Sequence, residues 1–215
     1  MSRFQFELPL PGARFGCRVR LAGETGAQAM IHAAEAEPDA LPRALAQASG
    51  LLLLQGMHDM ASEPTLLVRA SRIFGPEVED YRENLTPLNM VHPDVPEIFI
   101  VSNAPPAARM PPKRPDPPLT AEGRFPVQFP HRRGWHTDQS YRRPPPDVSL
   151  FLAVAPVSRD QGQTLFADGT AAYEALPAAM KARVDNLEGL HVGARARRSR
   201  RTSGRSVSRW CAFIR

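Results

Sequence analysis

Gly134-Trp135-His136-Thr137-Asp138-Gln139-Ser140-Tyr141 is the stretch on which the reading of this chain turns. In extended backbone, residues i and i+2 point to the same face. His136 and Asp138 can therefore aim into one cavity while Thr137 faces away. An imidazole and a carboxylate side by side supply two parts of a facial triad, the donor set that suits Fe(II) and leaves one side of the metal open. A bare His-x-Asp spacing arises often by chance, so the neighbouring sequence has to carry part of the weight.

Working outward, Pro144-Pro145-Pro146 marks a turn, and Val148 to Val154 has the apolar run of a strand. Gly162-Gln163-Thr164-Leu165-Phe166-Ala167-Asp168 follows, then Ala171-Ala172-Tyr173-Glu174-Ala175-Leu176-Pro177. Asp168 or Thr170 is expected to cap a helix through Ala171, Ala172 and Ala175, and Pro177 to restart a helical turn leading to Val184.

The order of these motifs resembles that of the taurine and 2,4-dichlorophenoxyacetate dioxygenase family (TauD/TfdA). There the pattern reads W-H-x-D, a proline-rich turn, an apolar strand, G-x-T and an A-A-Y-x-x-L-P helix. Phe15-Gly16, the stretch Gly50 to Gly56 and Phe74-Gly75 also look like that family's N-terminal segment. The likeness covers most of residues 10–190, and the block 134–177 is its specific part.

The resemblance implies a double-stranded β-helix (jelly-roll, cupin-like) core with flanking helices, α+β or mainly β in class. It implies an Fe(II)- and 2-oxoglutarate-dependent hydroxylase of a small, anionic organic acid, with O2 as co-substrate and succinate and CO2 as by-products. His136 and Asp138 would be metal ligands. Thr164 would donate its hydroxyl to a 2-oxoglutarate carboxylate, and Trp135 would wall the cavity. The family also uses a distal His as third ligand, and an Arg soon after it that pairs bidentately with the far carboxylate of 2-oxoglutarate. Neither has an obvious counterpart here. His191 is the only histidine after Asp138, and it falls where the family's ligand does not sit.

Length and composition set wider bounds. At 215 residues, with 42% hydrophobic and 23% charged side chains, the chain can bury a sizeable core. No apolar run reaches transmembrane length, and Met1 to Gly12 lacks the pattern of a secretory signal. Cys17 and Cys211 form no CxxC and argue against a disulfide framework. A cytoplasmic protein is the plain expectation. The net charge of +5 suggests nucleic acid until its location is considered. No acidic residue follows Glu188, whereas residues 189–215 hold eight Arg, so residues 1–188 carry a net charge of −3.

This asymmetry divides the chain into a dioxygenase-like domain, 1–192, and an Arg-rich tail, 193–215, read as disordered or non-native. Gly193 onward resembles out-of-frame reading of a GC-rich gene, and a truncated or frameshifted dioxygenase is the expectation drawn from it. The alternatives are a catalytically inactive fragment and, ranked last, nucleic-acid binding through the tail. The expected partner is a small molecule. A homo-oligomer stays open, with a neighbouring subunit as one source of the third ligand.

Within the first domain, Asp39 to Ser49 reads as a short helix with Asp39 as N-cap, Leu41, Ala44, Leu45 and Ala48 on one face, and Gly50 at its end. Leu51 to Leu54 reads as a buried strand. Ser62 begins a second helix, with Pro64 in its first turn, Leu66, Leu67, Ala70 and Phe74 as the apolar stripe, and Gly75 as its stop. Ile98 to Val101 reads as a strand, and residues 104–118, with seven prolines, as a long loop. His92, Arg132, Arg133, Arg142 and Arg143 are candidate substrate contacts for which loop or solvated roles serve equally well. Tyr173, Leu176 and Met180 are expected to pack beneath a sheet.

Overall fold

A computed structural model of the chain describes residues 2–83, 86–101, 136–140, 142, 144–155 and 164–188. Its contacts divide the chain into two units, Met1–Gly134 with Leu150–Val154, and Trp135–Ser149 with Ala155–Arg215. The 104–118 loop, Trp135, Tyr141, Arg132, Arg133, Arg143, Gly162, Gln163, His191 and the 193–215 tail lie outside the described residues.

In the first unit, β1 (Phe4–Glu7) and β2 (Cys17–Leu21) pair antiparallel, with Phe4 opposite Leu21 and Phe6 opposite Val19. Helices α1 (Ala27–Ala36) and α2 (Ala40–Gln47) follow, and the chain returns as β3 (Leu52–Leu54), parallel to β2 with Cys17 opposite Leu52. The sheet order is β1-β2-β3, so β2 is central. Alternation along β2 sends Cys17, Val19 and Leu21 into the core and turns Arg18 and Arg20 outward, where both meet Glu7, at 3.1 and 3.6 Å.

The core forms where this sheet face meets α1 and α2. Phe4, Cys17, Val19 and Leu21 pack with Met30, Ala33, Ala34, Leu41 and Ala48. Alanine favours the helix and leaves little side chain between α1 and the strands. A second cluster joins Ala27 and Ile31 of α1 to Met60, Leu66 and Ala70, the last two on α3 (Thr65–Ser71). Burying a large aliphatic side chain is worth about 1.5–3 kcal/mol, so these two clusters are the main source of stability in this unit.

The α2 stripe stands as expected, with Leu41, Ala44 and Ala48 buried and Leu45 half-buried. Its C-terminus closes through Gly50 N–H donating to Leu45 O at 2.9 Å. Ser49 and Gly50 both have positive φ, 52° and 79°. Asp39, however, does not cap through its side chain. It adopts helical angles, and its carboxylate accepts instead from Arg43 one turn on, at 3.1 Å. The second helix keeps Pro64 at its start and Leu66 and Ala70 inward, but α3 ends at Ser71, before Phe74 and Gly75.

Three strand expectations change. Leu51 to Leu54 is not a buried strand: among the described residues β3 is an edge paired with β2 alone, its inner residues half-buried and Leu53 45% exposed. Ile98 to Val101 contracts to one antiparallel bridge, Val91 with Phe99. Residues 148–154 make no ladder among the described residues. There Leu150 and Leu152 pack on the second cluster while Phe151 and Val154 are exposed. Alternating burial gives an extended chain, but strand character needs a neighbour's backbone as well. β1, β2 and α1 were not expected: Cys17-Arg18-Val19-Arg20-Leu21 does carry strand alternation, but over only five residues, and Ala-rich α1 carries little apolar signal.

The second unit contains α4 (Gly169–Glu174) and α5 (Ala178–Val184). Asp168 caps α4 as expected, its Oδ1 accepting from Ala171 N–H at 3.0 Å, and Pro177 precedes α5. Tyr173 and Met180 do not pack beneath a sheet. They are exposed, and Leu176 is half-buried. The Tyr173 hydroxyl donates to Asp185, and Lys181 Nζ lies 5.2 Å from the centre of the Tyr173 ring while pairing with Glu174 at 2.9 Å. These polar contacts clasp the two short helices together.

Candidate metal centre

The candidate donor pair, His136 and Asp138, is built from local backbone in the second unit. His136 occupies a β-bridge position and Asp138 begins a turn through Ser140. The two side chains share one side, as the spacing demanded, although a bridge followed by a turn achieves it rather than a continuous strand. His136 Nε2 lies 3.2 Å from Asp138 Oδ1, with the side chains 34% and 39% exposed.

That separation fits a shared metal. Two donors each about 2.1 Å from an octahedral ion, in adjacent positions, stand about 3.0 Å apart. Nitrogen and carboxylate oxygen are also the donor types of a facial iron site. The same 3.2 Å is also the distance of a direct His–Asp contact. Among the described residues no group of three or more His, Cys, Asp or Glu converges, so two donors are what this region shows.

Immediately after Asp138, Gln139 has φ 54°, left-handed for a residue with a side chain. Such a conformation costs on the order of 1 kcal/mol and persists where neighbouring contacts hold it. Here Arg142 supplies them: its N–H donates to Gln139 O at 2.9 Å, and its Nη1 to Gln139 Oε1 at 3.3 Å. Arg142 is half-buried by this turn. Neither feature was legible beforehand, because glutamine carries no left-handed signal of the kind glycine or asparagine gives.

The other candidates stand as follows in their own segments. Thr164 is half-buried in the irregular segment leading to α4, and among the described residues no hydrogen bond joins it to His136 or Asp138. His92 is engaged in its own loop: its Nδ1 accepts from the N–H groups of Asp94 and Val95, at 3.2 and 3.1 Å. This gives it a turn-forming role.

Comparison with known proteins agrees with the motif order. The family model of the "Taurine catabolism dioxygenase TauD, TfdA family" matches residues 21–211. The match therefore runs past Val192, where the motif likeness was expected to fade. A protein of Schizosaccharomyces pombe named "Putative alpha-ketoglutarate-dependent sulfonate dioxygenase" is 37% identical over 75 residues, 35% of this chain. The aligned stretch spans only 19% of that relative's length. No solved structure matches the chain.

Proposed function

The chain belongs to the TauD, TfdA dioxygenase family, and on that premise we propose that it is an Fe(II)- and 2-oxoglutarate-dependent dioxygenase acting on a small organic anion, a sulfonate or carboxylate. The observation that carries this reading is the approach of His136 Nε2 to Asp138 Oδ1 at 3.2 Å. The family's double-stranded β-helix is the fold proposed around that pair. Sulfonate as a substrate class rests on the printed name of the fission-yeast relative. Among the described residues no helix is long and apolar enough to cross a membrane. Buried, unpaired Cys17 suits a reducing compartment, and we place the protein in the cytoplasm.

The residues divide the work as follows. His136 and Asp138 would hold the metal, and the turn behind Asp138 limits where its carboxylate can point. Thr164 would donate its hydroxyl to a 2-oxoglutarate carboxylate. Iron, when bound, couples oxidative decarboxylation of 2-oxoglutarate to hydroxylation of a substrate C–H bond.

The test is anaerobic titration with Fe(II) and 2-oxoglutarate, followed in the visible region. A weak charge-transfer band is expected, and His136→Ala and Asp138→Ala should each abolish it. Thr164→Val should raise the 2-oxoglutarate concentration at half-saturation about tenfold, the loss of one hydrogen bond to a charged group. A band that survives loss of both His136 and Asp138, or the lack of any band in the wild type, sinks the assignment.

A further inference from the structure

Resting on the reading above, we infer that Arg142 is the residue that recognises the anionic group of the substrate, and that Gln139 holds it in place for that task. The chain reverses directly after Asp138 at Gln139, whose φ is 54°. The reversed chain is closed by Arg142 N–H on Gln139 O at 2.9 Å, and its guanidinium is tied back by Nη1 on Gln139 Oε1 at 3.3 Å. A half-buried cation is thereby bonded to the residue next to a metal donor. The contact fixes where the guanidinium stands on the turn that carries Asp138.

Charge supplies the second part of the argument. A divalent metal held by neutral His136 and anionic Asp138, together with doubly negative 2-oxoglutarate, forms a centre of net charge −1. A sulfonate or carboxylate approaching it is repelled unless a cation stands nearby, and the repulsion grows as water is excluded. Arg142 provides that cation on the turn carrying Asp138. Its planar fork matches two oxygens of either anion, and the Gln139 contact restricts the fork's rotation before the ligand arrives.

The experiment is calorimetric titration of the full chain with 1-propanesulfonate, with butanoate, and with methyl propyl sulfone as the uncharged counterpart. It is run without metal and again after anaerobic loading with Fe(II) and 2-oxoglutarate. Arg142→Gln should weaken both anions by at least about tenfold, the loss of a charge-assisted hydrogen bond, and leave the sulfone unchanged. Arg142→Lys should recover part of the affinity, because it keeps the charge without the fork. Gln139→Gly relaxes the backbone and removes the tether, and should weaken anion binding about threefold with the charge intact.

Equal anion binding by wild type and Arg142→Gln, or equal losses for anion and sulfone, overturns the inference. So does a wild type that binds neither anion. The visible band of the loaded protein separates the two claims. A band with no dependence of anion binding on Arg142 removes only the anion site, whereas Arg142-dependent binding without a band removes only the metal assignment.

Discussion

Asp59→Ala should lower the stability of the first unit by about 1.5 kcal/mol, through the N-terminus of a helix that Asp59 does not belong to. Helix α1 begins after Gly26, which has no side chain to cap with, and its first turn holds no acidic residue. Asp59, in the 3-10 turn His58–Ala61, reaches across 32 positions: its Oδ1 accepts from Ala27 N–H at 2.6 Å. The Gln28 contact, at 3.4 Å, is too long to count for much. One strong bond to an orphan N–H is worth about 1 kcal/mol, and a carboxylate at a solvent-facing helix N-terminus adds about 0.5 kcal/mol.

The cost should appear as a fall of roughly 3–6 °C in Tm, at about 2–4 °C per kcal/mol for a chain of this size. Asp59→Asn, which keeps an acceptor oxygen but loses the charge, should lose less than half as much.

The effect should also depend on pH. Partial desolvation pushes the Asp59 carboxyl up, but the N–H groups of Ala27, Gln28 and Asp59 itself outweigh it, so its pKa lies below the usual aspartate value. A depressed carboxyl pKa stabilises the fold above the unfolded value of about 3.9 and loses that contribution as pH falls through the lower folded value. Urea unfolding of wild type and Asp59→Ala should differ most at pH 6–7, and the difference should narrow by about 0.5 kcal/mol, the share owed to the charge, toward pH 2. A difference of the same size at both ends of that range would refute the reasoning, because the charge would then play no part.

Two further outcomes follow from geometry. Gly16→Ala should cost about 2 kcal/mol in urea unfolding. Its φ is 85°, and an added Cβ would lie 2.6 Å from Leu10 Cδ1 and 3.2 Å from Leu51 Cδ2. Asp185→Asn should bring the Tyr173 phenol back toward the ordinary tyrosine range, removing the latest component of the absorbance rise at 295 nm. In the wild type the hydrogen bond to Asp185, then partial burial, then nearby negative charge hold that phenol up. Stability should change little, because the contact is exposed.

The chain's own residue order was enough to bring His136 and Asp138 together, because a two-residue spacing is a local relation and the backbone between them is short. The helices beginning near Ala40, Thr65, Gly169 and Ala178 were legible for the same reason: caps, prolines and apolar stripes act within a few positions. What crosses the chain was not legible. Asp59 capping α1 and β2 pairing with β1 and β3 depend on groups meeting from distant positions, and no spacing encodes them. Residues 148–154 have the composition of a strand, yet a ladder is a property of two segments and composition describes one. The left-handed turn at Gln139 is local and still escaped the sequence, because glutamine carries no left-handed signal and the two hydrogen bonds from Arg142 that hold it appear only once the turn closes. The cap on α1 and the pairing of β2 were left to tertiary structure, because their partners lie far along the chain.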